Sequence, residues 1–182
     1  MTRVLAGLLA LAALPCAAQE CFTVNAADAR VGFEVKQAGA PFRGAFRRMG
    51  GEVCLAQQRV ARLEVWLEPA SVATDLPEVD AALKDKEFFD VGAHPRISFT
   101  SSSIEVQGDR QFARGTLEIK GKRREVSVPF RMQGGQGGGK PAISGSFTLK
   151  RMDYDIGTGE WSDTRWLGAE VNVEFSATLT RR

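Results

Sequence analysis

Apolar residues recur with a period of two along almost the whole of this chain, and that spacing belongs to strands, not helices. Val31, Phe33 and Val35 alternate with Gly32, Glu34 and Lys36. Leu63, Val65 and Leu67 alternate with Arg62, Glu64, Trp66 and Glu68. Ile97 and Phe99 alternate with Ser98 and Thr100. The same spacing runs through Leu117 and Ile119, through Val126, Val128 and Phe130, and through Ile143, Phe147 and Leu149. It ends with Val171, Val173, Phe175 and Leu179. Shorter pieces at Phe22–Val24 and from Phe46 to Leu55 bring the expected count to eight or nine strands.

Turn signals fall between these runs at Gly50-Gly51, Gly108-Asp109, Gly121 and Gly134 to Gly139. The last glycine run predicts a flexible hairpin loop. A phosphate cradle needs a Lys and a Ser or Thr in register, opening a helix. One segment departs from the strand pattern. Residues 77–86 predict a short helix, with Pro77 in its first turn, Glu78 and Asp80 at its N-terminal end, and Lys84 and Lys86 at its C-terminal end. Val79, Ala82 and Leu83 form its apolar side, and Phe88-Phe89 follows it.

Eight or nine strands joined by short turns either close into a barrel or split into two packed sheets. Each strand has one apolar and one polar face. That predicts an all-β, antiparallel barrel with an apolar interior, since a membrane barrel carries its apolar face outward. A barrel of this size either fills with side chains or holds one small ligand, and the pattern alone leaves both open. The residues expected to face inward are Phe33, Val35 and Phe46, then Leu63, Val65, Ile97 and Phe99. Leu117, Ile119, Val128, Phe130, Phe147, Val173 and Phe175 complete the wall, and Phe88 and Phe89 plug one end.

The first residues read as an export signal. Met1-Thr2-Arg3 is a short positive start, and Val4 to Leu14 is an apolar run too short to span a bilayer, which takes ~20 residues. Pro15-Cys16-Ala17-Ala18 supplies small residues for cleavage after Ala18. Cys16 raises a lipid anchor as an alternative, but Pro15 sits where that signal wants a small residue. Residues 1–18 are therefore expected to be a signal peptide and 19–182 one exported, periplasmic domain. Taking Arg3 from the 24 basic residues leaves 23 against 22 acidic ones, a net charge of +1. That balance argues against a nucleic-acid binder and against an anionic-membrane binder. The basic clusters are Arg47-Arg48 and Lys120 to Arg124, the second read as a solvated hairpin tip. Cleavage leaves Cys21 and Cys54, and two cysteines in an oxidising compartment pair. The bridge would close a loop of about 34 residues, worth about 3–4 kcal/mol by chain entropy.

No catalytic centre is legible. His94 is the only histidine, beside Pro95 at a strand start, and no G-x-S-x-G elbow accompanies it. Asp85, Glu87 and Asp90 read as a solvated face, with no metal cluster and no cofactor fingerprint in the chain. The expectation is a protein that is not an enzyme and carries no cofactor. Arg151 and Asp153 share a side if extended, which suggests an ion pair or turn anchor at the rim, or an Arg151 that meets a ligand head group. Trp161 and Trp166 sit in non-strand segments, where they either cap the tunnel or close the core. Trp66 points away from Val65 and Leu67 and packs outside.

Five ordered segments carry a family resemblance. Ala70-Ser71-Val72-Ala73-Thr74 is followed by Leu83-Lys84-Asp85-Lys86-Glu87-Phe88-Phe89-Asp90 and by His94-Pro95-Arg96-Ile97-Ser98-Phe99-Thr100-Ser101. Then come Gly115-Thr116-Leu117-Glu118-Ile119-Lys120-Gly121 and a C-terminal group. That group is Arg151-Met152-Asp153-Tyr154-Asp155-Ile156-Gly157, Gly159-Glu160-Trp161 and Leu167-Gly168-Ala169-Glu170-Val171. Together they resemble the YceI-like family of exported lipid- and polyisoprenoid-binding proteins. The resemblance implies a lipocalin-like barrel with an elongated apolar tunnel for an isoprenoid lipid or quinone-like ligand. It also points to a cytochrome b561-type membrane protein as partner, and leaves the oligomeric state open, a homodimer included. One departure stands out: where many members have a His before the first long strand, this chain reads Asp28-Ala29-Arg30-Val31.

Overall fold

The computed structural model describes residues 19–108, 110–134 and 139–181. The signal segment with Cys16, Asp109, and the centre of the Gly134–Gly139 loop lie outside the described residues.

The strands run β1 Glu20–Asn25, β2 Ala29–Gln37, β3 Ala40–Phe46, β4 Met49–Ala56, β5 Arg59–Leu67 and β6 Val72–Ala73. After one helix, α1 Pro77–Ala82, come β7 Ile97–Gln107, β8 Arg110–Ile119, β9 Lys122–Gln133 and β10 Ala142–Lys150. The chain ends with β11 Leu167–Thr178 and β12 Thr180–Arg181. All pair antiparallel in one curled sheet, in the order β12-β1-β4-β5-β7-β8-β9-β10-β11-β2-β3-β6.

Twelve strands stand where eight or nine were expected, and bends account for the difference. A 3-10 turn at Ala26–Asp28 divides β1 from β2, Arg47 and Arg48 divide β3 from β4, and Leu179 divides β11 from β12. β6 adds a two-residue piece on β3. Each bent run has one part near either end of the sheet order, so the chain itself joins those ends. Ser71 clasps the bend at Arg47–Arg48: its buried hydroxyl accepts from both main-chain N–H groups and donates to the Glu68 carbonyl.

Gly50 and Gly51 lie inside β4, not in a turn. The Trp66 ring lies over Gly50, and a side chain on Gly51 (φ +151°) would meet the Glu64 carbonyl at 2.4 Å. The turn between β4 and β5 is made instead by Gln57 and Gln58, both at positive φ. The helix is shorter than 77–86 and ends at Ala82. From there the main chain turns back on itself, with Phe89 N–H bonded to the Leu83 carbonyl and Asp90 N–H to that of Asp85. That fold-back drives both phenylalanines inward.

The inner face is unevenly packed. On β4, β5, β7, β8 and β9, Val53, Leu63, Phe99, Leu117 and Phe130 are buried. On β2, β3, β10 and β11, Phe33, Phe42, Phe147, Val171 and Phe175 are only part-buried. The first set of strands is therefore the more tightly packed of the two.

Candidate functional site

The uneven packing leaves a cavity of about 350 Å³ running along the interior. Every residue expected to face inward contributes to its wall: Phe33, Val35, Phe46, Leu63, Val65, Ile97, Phe99, Leu117, Ile119, Val128, Phe130, Phe147, Val173 and Phe175, with Phe88 and Phe89 at one end. Phe42, Met49, Ile156 and Leu167 also line it without having been expected there, and so do Ile143, Leu149 and Val171 of the apolar strand faces and Val79, Ala82 and Leu83 of the helix segment. A period-two signal is present at Phe42-x-Gly44-x-Phe46, which would have found the first of these. Polar residues along it are few: Gln37, Glu78, Ser98 and Arg151, with Arg30 and Ser176 bordering it and the outer face as well.

Aromatic rings organise the interior. Phe33, Phe46 and Phe89 form a chain with centroids 5.7 and 5.6 Å apart, and Phe88 meets Trp161 at 5.5 Å. Room for the Phe33 ring comes from Gly44 opposite it, where any Cβ would lie 2.4 Å from the ring. Gly145 does the same for Phe175. Trp66 packs outside, over Gly50 and under the Arg96 guanidinium, 4.6 Å from its centroid.

Two segments close the Phe88 end. The Glu87 carbonyl accepts from the N–H groups of Gly157 and Thr158, at 2.7 and 3.0 Å, which joins the turn after α1 to the segment after β10. The β8–β9 hairpin tip is not simply solvated. Lys120 donates to the carbonyls of Lys86 and of Asp155, the latter at 2.8 Å, so its ammonium braces both closing segments. Lys122 pairs with the Asp155 carboxylate at 2.9 Å and holds it below the ordinary carboxylate range.

Arg151 anchors the same end, and its contacts fit the turn-anchor reading, not the ion pair or the head-group contact. The residue is 1% exposed. Its Nε donates to Gly168, Nη1 to Ile156 and Gly157, and Nη2 to Trp161 and Leu167, all main-chain carbonyls at 2.7 to 2.9 Å. A guanidinium has five N–H groups, so none is left for Asp153 or for a ligand head group. Burial pulls its pKa below the usual guanidinium value. Trp166 is also corrected: it is 63% exposed and takes no part in the cavity wall, whereas Trp161 does.

Cys21 and Cys54 face each other across β1 and β4 and are joined by a disulfide. The Glu52 carboxylate lies beside them, but the bond between the two sulfurs removes them as metal ligands. His94 sits with its ring beside Gly121 and its N–H on the Asp90 carbonyl.

With this geometry established, the relatives can be placed. The family model described as the YceI-like domain matches residues 22–179. Protein YceI of Salmonella arizonae is 28% identical over 162 residues, 85% of this chain and 84% of the relative. A UPF0312 protein of Pectobacterium atrosepticum is 27% identical over 158 residues, 83% of this chain and 82% of its own. Among solved structures, Burkholderia cenocepacia BcnA superposes with a TM-score of 0.79 at 30% identity, covering 85% of this chain and 99% of that one. A polyisoprenoid binding domain from Saccharophagus degradans, implicated in plant cell wall breakdown, gives a TM-score of 0.71. That match covers 91% of this chain and 100% of the other, and at 13% identity it is a likeness of fold.

Proposed function

This chain belongs to the YceI-like family, and on that footing we propose that it is an exported binding protein for a long apolar amphiphile of the polyisoprenoid kind. The apolar cavity of about 350 Å³ carries the proposal. It falls within the range of small-molecule sites, ~300–1,000 Å³, but has far fewer polar groups than a site that reads a head group. Each buried methylene contributes about 0.8 kcal/mol, so tail length governs affinity more than head group does. The description of the Saccharophagus domain as polyisoprenoid binding supports the same ligand class. A quinone with an isoprenoid tail fits it equally. Carriage or storage outside the cytoplasm follows from residues 1–18 acting as a signal peptide, and a b561-type cytochrome is the partner the family resemblance suggests. Binding, not catalysis, is the activity proposed.

The test is native mass spectrometry of the protein purified from its host's export compartment, followed by organic extraction. A stoichiometric apolar molecule is expected. Phe147 is part-buried on the cavity wall, so Phe147→Glu should fold yet lose the extracted lipid, because its carboxylate would be left unpaired against the tail. A folded variant that still carries the lipid would place the ligand elsewhere. An empty wild-type protein that also refuses added polyprenols and quinones would sink the proposal.

A further inference from the structure

The outer face of the sheet carries a second concavity, of about 960 Å³, across β9, β10, β11, β2 and β3. A row of cross-strand neighbours runs along it. Arg131 pairs with Ser144, Ser144 with Ser176, and Ser176 with Arg30. The Val31–Phe46 pair sets Arg47 beside Arg30, and the Gln111–Phe130 pair sets Arg110 beside Arg131. All four arginines are exposed and line the groove. Glu174 is the only carboxylate among the lining residues.

Like charges directly opposite one another destabilise a strand pair, and several other arginines of the outer face sit beside carboxylates. Arg43 meets Glu34, Arg62 meets Glu52 and Glu64, Arg114 meets Glu105, and Arg123 meets Glu118. Among the described residues, no carboxylate forms an ion pair with Arg30, Arg47 or Arg110. Asp80 feels the charge of Arg47, but its carboxylate is bonded to the Thr74 hydroxyl at 2.7 Å. Arg30, Arg47 and Arg110 therefore gather positive charge on one face that the near-balanced total charge does not reveal.

We propose that this groove is the face by which the protein docks on an anionic phospholipid bilayer. Neighbouring strands lie about 4.8 Å apart, so the row from Arg110 to Arg47 spans about 24 Å. A single phosphate cannot reach guanidinium groups that far apart, whereas a surface of phosphate head groups meets all of them. The small residues between the arginines, Ser144 and Ser176, leave space for those head groups. Arg30 and Ser176 also line the apolar cavity, so docking here brings the cavity wall onto the membrane from which lipid is drawn. That last step rests on the lipid-binding reading; the docking face does not.

The test is co-sedimentation at low salt with vesicles of phosphatidylcholine alone and of equal parts phosphatidylcholine and phosphatidylglycerol. Wild type should bind the mixed vesicles, not the neutral ones, and high salt should release it as the charges are screened. Arg30→Ser with Arg47→Ser should weaken binding about 25-fold, at about fivefold per arginine near an anionic surface. Arg59→Ser with Arg124→Ser removes the same charge from exposed positions outside the groove and should bind as wild type does. Equal binding to both vesicle types, equal loss in the two double variants, or binding of inorganic phosphate without vesicle binding overturns the proposal. Extraction of cavity lipid from the same samples separates the two readings. A wild type that docks but yields no lipid would sink the lipid-binding function and leave the docking face standing.

Discussion

Arg151 has five N–H groups and gives each to a different main-chain carbonyl. The carbonyls come from residues 156 to 168, a stretch with no period that a sequence reading can use. This is why the residue was legible as an anchor but its partners were not: a main-chain carbonyl leaves no mark on the sequence, and Asp153 was the nearest charge in view. Arg151→Lys offers three donors where five acceptors wait. Two buried carbonyls would lose their partners at about 1–3 kcal/mol each, so the variant should be about 2–6 kcal/mol less stable. Urea denaturation gives that difference directly, and amide exchange should quicken first at Ile156 and Gly157. A lysine variant as stable as wild type would mean that water replaces the lost donors at no cost. Trp166 failed for a related reason. Tryptophan is read as buried because of its size, yet no neighbouring residue in the sequence says which face of an irregular segment points inward.

The strands themselves were the easiest elements to read, because period two states both the element and its buried face. That is why every residue expected inside the barrel lies on the cavity wall. What period two does not state is where a strand bends. The bends at Ala26–Asp28 and Arg47–Arg48 carry no glycine, and the one between β4 and β5 is closed by Gln57-Gln58, a pair no turn rule would pick. Gly50-Gly51, which does look like a turn, is spent on close packing against Trp66 and Val65. Between elements, Lys120 does what propensity cannot show: from the β8–β9 tip it ties together two segments that are far apart in sequence. Hydrogen bonds from a charged donor contribute about 1.5–3 kcal/mol. Lys120→Gln keeps a donor but shortens its reach, and should loosen both segments without unfolding the sheet. Hydrogen exchange should therefore rise around residues 86–91 and 155–158 while β7 and β8 stay protected. Unchanged exchange at both places would show that the Glu87 carbonyl contacts alone hold that end.

Closure of the whole barrel depends on the bent runs, and the disulfide sits on the most exposed part of that closure. β1 pairs with β4 along its whole length but on its other side has only the two residues of β12. Without the Cys21–Cys54 bond, the edge of the sheet would rest on those pairings and on the Arg181–Glu20 ion pair, whose side chains are largely in water. Such an exposed pair contributes at most about 1 kcal/mol. The crosslink restricts the unfolded chain by about 3–4 kcal/mol, and in a domain of this size each kilocalorie moves the melting temperature by about 2–4 °C. Cys21→Ser with Cys54→Ser should thus lower Tm by about 6–16 °C. Neither cysteine lines the cavity, so lipid capacity should persist below the new melting point. Exchange at β1 and β12 should quicken well before exchange at β10 and β11. If all four strands lose protection together, the bond is holding the barrel shut as one unit, and reduction would then release the lipid along with the edge.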